Sequence, residues 1–97
     1  MAVTRLIWSE RFRYEIQREY EFLCESNPGA AKTVIERVIK ASRRLGEFPK
    51  SGRIGRLKGA WELVVPGLPY VVAYDVSDDG VVLLMLFHTS RKVPHVH

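Results

Sequence analysis

The sequence predicts an α+β fold in which a hairpin of two helices packs on one side of a mainly antiparallel, four-stranded sheet. Two consecutive segments, residues 9–26 and 28–45, repeat apolar residues every three or four positions, as amphipathic helices do. Three β-prone runs follow within residues 61–88 and are joined by turn-forming Pro, Gly and Asp residues. A short β-prone run at residues 3–8 precedes the helices. The element order is therefore β-α-α-β-β-β.

Length and composition predict a single domain over residues 1–97. The chain has 97 residues, of which 46% are hydrophobic and 27% charged, and this is ordinary globular composition. Cys24 is the only cysteine, so an intrachain disulfide is excluded and a reducing, cytoplasmic setting is favoured. The apolar stretch in the first ten residues is interrupted by charges and is too short for a signal peptide or a membrane span. No membrane association is expected.

The first helix is predicted to follow the first strand directly. Ser9 is a favourable N-cap, and Glu10 places a carboxylate in the first turn, where it complements the helix dipole. The apolar stripe of this helix consists of Phe12, Ile16, Tyr20 and Leu23.

The second helix begins after a very short connection. Asn27 is the predicted N-cap, and Pro28 occupies the first helical position, where its missing N–H costs nothing. Gly46 is the predicted C-terminal stop. Because about two residues separate the helices, they form an antiparallel hairpin. The wider stripe of the second helix consists of Ala31, Val34, Ile35, Val38, Ile39, Ser42 and Leu45.

Residues 47–59 are rich in Gly, Pro and basic residues and lack a period, so they are predicted to form a loop. The strands that follow are predicted at residues 61–66, 70–76 and 81–88, and Asp79-Gly80 is a hairpin-turn signal between the last two. Both of these last strands are apolar at nearly every position. They are therefore expected to be central strands with both faces at least partly covered.

Positive charge is concentrated in the middle of the chain. The net charge is +4, but residues 28–60 hold nine Lys and Arg against two Glu. Such a segment suits a nucleic acid backbone or an acidic protein partner, and a solvated basic helix face accounts for it equally well.

Several kinds of site are excluded or disfavoured by the sequence. Cys24 lies in a predicted helix with no His near it in sequence, and the chain contains no Gly-x-Ser-x-Gly motif, so no nucleophile triad is proposed. His95 and His97 lack the companions of a zinc site and lie in residues 93–97, a predicted flexible tail. The glycines of residues 51–59 lack the ending of a phosphate-binding loop. Neither a metal nor a cofactor is expected.

A basic set remains as the candidate site. The loop before the strand at residues 61–66 contains Arg53, Arg56 and Lys58, and the end of the last strand is followed by His88 and Arg91. If the start of the one strand and the end of the other meet at the same sheet edge, these groups converge. Arg side chains would then bind phosphate, and an imidazole that titrates near neutral pH would move protons.

Such a set is suited to RNA cleavage without a metal. RNA supplies its own nucleophile, the 2′-OH, so the protein needs only a base, an acid and cations that stabilise the transition state. Glu62 or Tyr70 could supply the remaining base or acid. The alternative is structural: the cations solubilise a surface loop and His88 completes a strand end.

With this order of elements, the chain resembles the RelE/ParE superfamily of toxins from bacterial type II toxin–antitoxin modules. The resemblance covers nearly the whole chain and rests on LIWSE near the start, NPGAA at the second helix, GRxGRLKGAWELVVPGLPYVVAYDV across two strands, and LxxxFHTSR followed by VP. The long central pattern and its closing His-x-x-Arg look more like the ParE branch.

The resemblance implies a toxin that arrests growth and is neutralised by a cognate antitoxin. RelE-like members cut mRNA on the ribosome without a metal, whereas ParE-like members poison DNA gyrase and are not nucleases. Nuclease members usually have a cation where this chain has Tyr70, which favours the gyrase reading. If the chain were instead a nuclease, its catalytic residues would be His88, Arg91 and Arg56. Contacts to the target or antitoxin are expected at Arg53, Lys58, Tyr70 and Glu62.

The resemblance also implies an antitoxin segment that lies along the toxin. The charge of residues 28–60 would attract an acidic partner. The groove beside the helices and the uncovered sheet face are the two surfaces expected to receive it.

Overall fold

A computed structural model describes residues 4–56 and 58–90 of the chain. Its seven elements run in the order β1 (Leu6–Trp8), α1 (Glu10–Ser26), α2 (Pro28–Arg44), β2 (Arg53–Ile54), β3 (Trp61–Val64), β4 (Tyr70–Ser77) and β5 (Gly80–His88). The strands form one sheet in the order β1-β5-β4-β3-β2. Strand β1 is parallel to β5, and the other neighbours are antiparallel. The predicted α+β class and the helical hairpin are confirmed. In the described part of the chain, no helix combines the length and the apolar character needed to cross a membrane.

The sheet has five strands where the sequence predicted four. The additional strand is β2, which lies inside the predicted loop and pairs Arg53 with Glu62 and Ile54 with Trp61. This segment can approach β3 closely because residue 52 is a glycine. A Cβ atom at Gly52 would collide with the carbonyl oxygen of Glu62 and the hydroxyl of Tyr74. A two-residue strand has no alternation from which it could be predicted.

The predicted start of each helix is confirmed. Ser9 caps α1, and its hydroxyl accepts a 3.0 Å hydrogen bond from the Phe12 N–H. Pro28 occupies the first position of α2. The predicted role of Gly46 is only partly right: α2 ends at Arg44 in a series of tight turns, and Gly46 is not left-handed. The carbonyl of Gly46 instead accepts a 2.7 Å hydrogen bond from the Thr4 N–H and ties the N-terminal segment to the end of α2.

The main core lies between the helices and one face of the sheet, called here the helix face. Its fully buried members come from the two helices, the turn after α2, the segment after β3 and the two central strands: Phe12, Val38, Leu45, Val65, Tyr70, Val72, Tyr74, Val81 and Leu83. On the opposite side, called the second face, Val71, Ala73, Met85 and Phe87 form another buried cluster. The prediction that β4 and β5 are central and covered on both faces is confirmed.

The predicted Asp79-Gly80 turn joins β4 to β5, with Ser77 paired to Gly80. Gly80 has φ = +139°, and a Cβ atom there would collide with the carbonyl oxygen of Arg5. That carbonyl accepts a 2.8 Å hydrogen bond from the Val81 N–H. Glycine is therefore required because the segment before β1 passes directly over the turn.

Candidate functional site

A buried carboxylate on the second face organises the basic loop. The Glu62 side chain is 3% exposed and accepts hydrogen bonds from the backbone N–H of Arg56 at 3.1 Å and from its Nε at 3.3 Å. An Arg53 guanidinium nitrogen lies 3.6 Å from the other carboxylate oxygen. Burial alone would raise the pKa of Glu62, but the hydrogen bonds from Arg56 and the charges of both arginines outweigh it, so this pKa lies below its ordinary value.

A second buried side chain holds the same loop from the helix face. The Tyr74 hydroxyl accepts a 3.0 Å hydrogen bond from the Gly52 N–H. Burial raises the pKa of Tyr74 and keeps the phenol neutral. The loop is therefore fixed to the sheet by Tyr74 on one side and Glu62 on the other.

The fixed loop presents cations to solvent. The side chains of Arg53 and Arg56 are 67% and 61% exposed although each is paired with Glu62. The Arg56 guanidinium lies 5.6 Å from the centre of the Phe87 ring, in cation–π geometry, and covers part of the second face. Lys58 is also exposed. Arg53 and Arg56 thus form a cationic surface around Glu62.

A different group of side chains meets at the end of β5. The Tyr70 hydroxyl donates a 2.6 Å hydrogen bond to Glu19 Oε2, and the His88 ring lies edge-on to the Tyr70 ring with centroids 5.1 Å apart. The Ser90 N–H donates to His88 Nδ1 at 3.1 Å. Since Nδ1 is the acceptor, the neutral imidazole carries its proton on Nε2. The arrangement places an imidazole, a phenol and a carboxylate at one end of the sheet.

The predicted convergence of the two groups does not occur. Arg56 lies over Phe87 on the second face, whereas His88 contacts Tyr70, a member of the main core on the helix face. Trp61 at the start of β3 pairs with Tyr74 in the middle of β4, whereas His88 at the end of β5 pairs with Tyr70 at the start of β4, so the two points lie four residues apart along β4. The assumption that these two points share an edge was therefore wrong. Arg91 lies outside the described residues.

Two carboxylates of α1 take part in the site although the sequence did not point to them. Strand β1 ends at Trp8 and does not extend along β5 as far as Leu86. There, Glu15 Oε1 accepts a 2.9 Å hydrogen bond from the Leu86 N–H. Glu19 binds Tyr70 one turn later. Their spacing of four residues on the helix, next to the apolar stripe, is the only local signal that could have suggested a shared surface.

The described residues contain no group of three or more His, Cys, Asp and Glu side chains that could hold a metal ion. The candidate site thus consists of a cationic surface around Glu62 on the second face and the Glu19, Tyr70 and His88 group at the end of β5. The predicted tail, residues 93–97, lies outside the described part.

The model of the family described as "ParE toxin of type II toxin–antitoxin system, parDE" matches residues 6–93. The chain is 33% identical over 96 residues to toxin Y4kP of Sinorhizobium fredii, with 99% of each chain covered. It is 27% identical over 89 residues to toxin RelE2 of Caulobacter vibrioides, with coverage of 92% of this chain and 99% of the relative.

The same architecture occurs in a solved structure. A chain described as the chromosomal ParDE toxin–antitoxin system from P. aeruginosa superposes with a TM-score of 0.82, covering 93% of this chain and all of that one. At 14% identity this likeness concerns the fold. Together with the family match over nearly the whole chain, the paired helices on the mixed sheet confirm the resemblance seen in the sequence: this protein belongs to the ParE toxin family of type II toxin–antitoxin systems, within the RelE/ParE superfamily.

Proposed function

We propose that this toxin acts in the cytoplasm, arrests growth by inhibiting DNA gyrase without cutting nucleic acid, and is neutralised by a cognate antitoxin. The observation that carries the choice of target is the separation of Arg56 from His88 on opposite faces of the sheet. An RNA-cleaving site needs its cations and its proton-transfer groups around the same phosphate. The match to the ParE toxin family supports the same target.

The burial of Tyr70 is a second observation that supports gyrase inhibition over RNA cleavage. A nuclease site would need a cation or an accessible acid at the start of β4. Tyr70 is 2% exposed, and its hydroxyl donates a hydrogen bond to Glu19, so this phenol packs β4 against α1. The exposed cations of Arg53, Arg56 and Lys58 are therefore the groups proposed to contact the target.

The second candidate function is ribosome-dependent cleavage of mRNA. It is favoured by the relative named toxin RelE2 and by the imidazole, phenol and carboxylate at the end of β5. In this reading His88 transfers a proton, Arg91 and Arg56 stabilise the phosphate, and the RNA 2′-OH is the nucleophile. No metal is required by that chemistry.

Purified toxin added to gyrase, plasmid DNA and ATP tests the first proposal. Accumulation of DNA breaks covalently linked to gyrase, with ribosome-bound mRNA left intact, is the expected result. Arg56→Gln should weaken the effect, while Arg13→Gln, which removes an exposed cation from α1, is the matched control and should retain it. Codon-specific mRNA cuts that disappear in His88→Ala would establish the second function instead.

A further inference from the structure

The strongest unassigned feature is the outer end of the Arg56 guanidinium on the second face. Its Nε and the backbone N–H of the same residue both donate to Glu62 Oε2, and its central carbon lies 5.6 Å from the centre of the Phe87 ring. Within residues 4–56 and 58–90, the two terminal nitrogens of Arg56 form no hydrogen bond. They therefore remain as a planar pair of donors, the arrangement that binds two oxygens of one oxyanion.

A second guanidinium lies close to the first. An Arg53 nitrogen is 3.6 Å from Glu62 Oε1, while Arg56 binds Oε2 of the same carboxylate, so both side chains converge on one buried acid. In the described part of the chain, no other carboxylate pairs with either arginine. Two positive charges are thus opposed by one negative charge, and the pair keeps an excess positive charge that attracts anions.

The two arginines are held in place before any ligand arrives. Their side chains are 67% and 61% exposed, although the Glu62 side chain that anchors them is 3% exposed. The loop backbone is fixed as well, since the Gly52 N–H donates to the Tyr74 hydroxyl and the Gly55 N–H donates to the Ala60 carbonyl. Binding a ligand here therefore costs less conformational entropy than it would on an unconstrained loop.

The surroundings of the arginine pair favour a phosphate over an acidic group of a protein partner. Protein partners gain most of their affinity from apolar and aromatic anchors in desolvated pockets. On the second face the four residues of the buried cluster are each at most 5% exposed, and Val64, at 46%, adds one exposed valine. A nucleic acid backbone needs little apolar area, because charge-assisted hydrogen bonds to phosphate oxygens hold it.

We infer that Arg53 and Arg56 bind a phosphate of the DNA that gyrase holds, with the terminal nitrogens of Arg56 on two phosphate oxygens. This inference rests on the proposed inhibition of gyrase and names the group that the cations of that site bind. Breaks that stay linked to gyrase form only while DNA is in the enzyme, and duplex DNA carries one negative charge per about 1.7 Å of helix axis. Phosphates are therefore densely placed where the toxin is proposed to act.

The affinity of labelled toxin for gyrase, measured with and without a bound duplex, tests the inference. Wild-type toxin should bind the gyrase–DNA complex about tenfold more tightly than gyrase alone. Arg56→Gln should lose this gain and keep the wild-type affinity for gyrase alone. Arg11→Gln is the matched control and should keep the gain, because Arg11 is 53% exposed and also pairs through Nε with a carboxylate, that of Glu15, but lies on α1.

Salt and backbone chemistry distinguish a phosphate from other anions. Loss of one phosphate contact lowers the slope of log affinity against log salt by about 0.9, so Arg56→Gln should show a smaller slope than wild type on the gyrase–DNA complex. Arg56→Lys should keep the slope but bind more weakly, because lysine has the charge without the planar donors. Methylphosphonate linkages, which remove the phosphate charge, should weaken wild type and leave Arg56→Gln unchanged.

Equal losses of affinity for Arg56→Gln with and without DNA would overturn the inference, because Arg56 would then bind an acidic group of gyrase itself. Arg53→Gln controls for a loosened loop, since it leaves both hydrogen bonds from Arg56 to Glu62 in place, and it should also reduce the gain. An unchanged gain in Arg53→Gln, with faster hydrogen exchange at the Gly55 amide in Arg56→Gln, would likewise overturn the inference, because loop order would then account for the loss.

The outcomes for target and ligand are separable. Wild-type toxin that leaves gyrase unaffected but binds the bare duplex with a salt slope that Arg56→Gln lowers contradicts the proposed target and upholds the phosphate site. Wild-type toxin that poisons gyrase without any gain in affinity from DNA upholds the target and overturns the phosphate site.

Discussion

The Tyr70 hydroxyl donates a 2.6 Å hydrogen bond to Glu19 Oε2 and joins the first residue of β4 to α1 across 51 positions of sequence. The phenol is 2% exposed, and its ring also forms the edge-to-face contact with His88. One side chain thus links the helical hairpin, the central strand and the end of β5. A residue with these contacts is a structural anchor of the candidate site.

Tyr70→Phe should destabilise the fold. It removes a hydrogen bond to a carboxylate while keeping the ring, and hydrogen bonds to charged groups contribute about 1.5–3 kcal/mol. The free energy of unfolding, measured by urea denaturation, should fall by that amount. Tyr14→Phe, at an exposed position of α1, is the control and should leave the urea midpoint unchanged. Equal midpoints for the two variants would refute an anchoring role for the Tyr70 hydroxyl.

Protonation of the Glu62 carboxylate should lower the free energy of unfolding in the acid pH range. The pKa of Glu62 in the folded protein lies below its ordinary value, so its contribution to stability is fully present above that ordinary value and is lost as pH falls through the lower, folded-state pKa. Urea unfolding of wild type and Glu62→Gln at a series of pH values should therefore give curves that converge in acid.

At neutral pH, Glu62→Gln should lose roughly 1–3 kcal/mol, because the Arg56 N–H and guanidinium lose a charged acceptor. Glu47→Gln changes an exposed carboxylate and should follow the wild-type curve. A constant difference between wild type and Glu62→Gln from neutral to acid pH would show that the carboxylate charge is not what holds the loop.

Gly52→Ala should detach β2 from the sheet. The added methyl group meets the Glu62 carbonyl and the Tyr74 hydroxyl, so the loop must move, at a cost of about 1–3 kcal/mol for overpacking. Thermal unfolding should show a lower Tm. Hydrogen exchange should be faster at the Gly55 amide, which bonds the Ala60 carbonyl at 2.8 Å. Gly29→Ala, where nothing lies within 4 Å of the added atom, should keep both properties, and similar losses in the two variants would contradict the close-approach explanation.

The elements that the sequence predicted well are those with local chemistry. The Ser9 cap and Pro28 at the first turn of α2 act within a few residues, and both were placed correctly. The apolar stripe of α2 also predicted which residues are buried, including Ala31 and Val38. Fold class followed from these patterns because helix and strand periods differ clearly.

The features that could not be predicted from the sequence depend on contacts between residues far apart in the chain. Strand β2 exists because Gly52 can approach Glu62, and Glu15 reaches the Leu86 N–H across 71 positions, at a point where β1 has already ended. The face on which His88 lies depends on strand direction and on the register shift between Ala73 and Tyr74. A change of one residue in register moves each side chain to the other face of the sheet, and the amino-acid composition of the strands does not indicate such a change.

The proposed role of the β2 loop cations in a non-nucleolytic inhibition of gyrase can be tested in one parallel assay. Purified toxin is incubated with gyrase and plasmid DNA and, separately, with translating ribosomes, and wild type is compared with Arg56→Gln and His88→Ala. We expect gyrase-linked DNA breaks that weaken in Arg56→Gln and persist in His88→Ala, with mRNA intact in every case. Cuts in ribosome-bound mRNA that require His88, with gyrase unaffected, would contradict it.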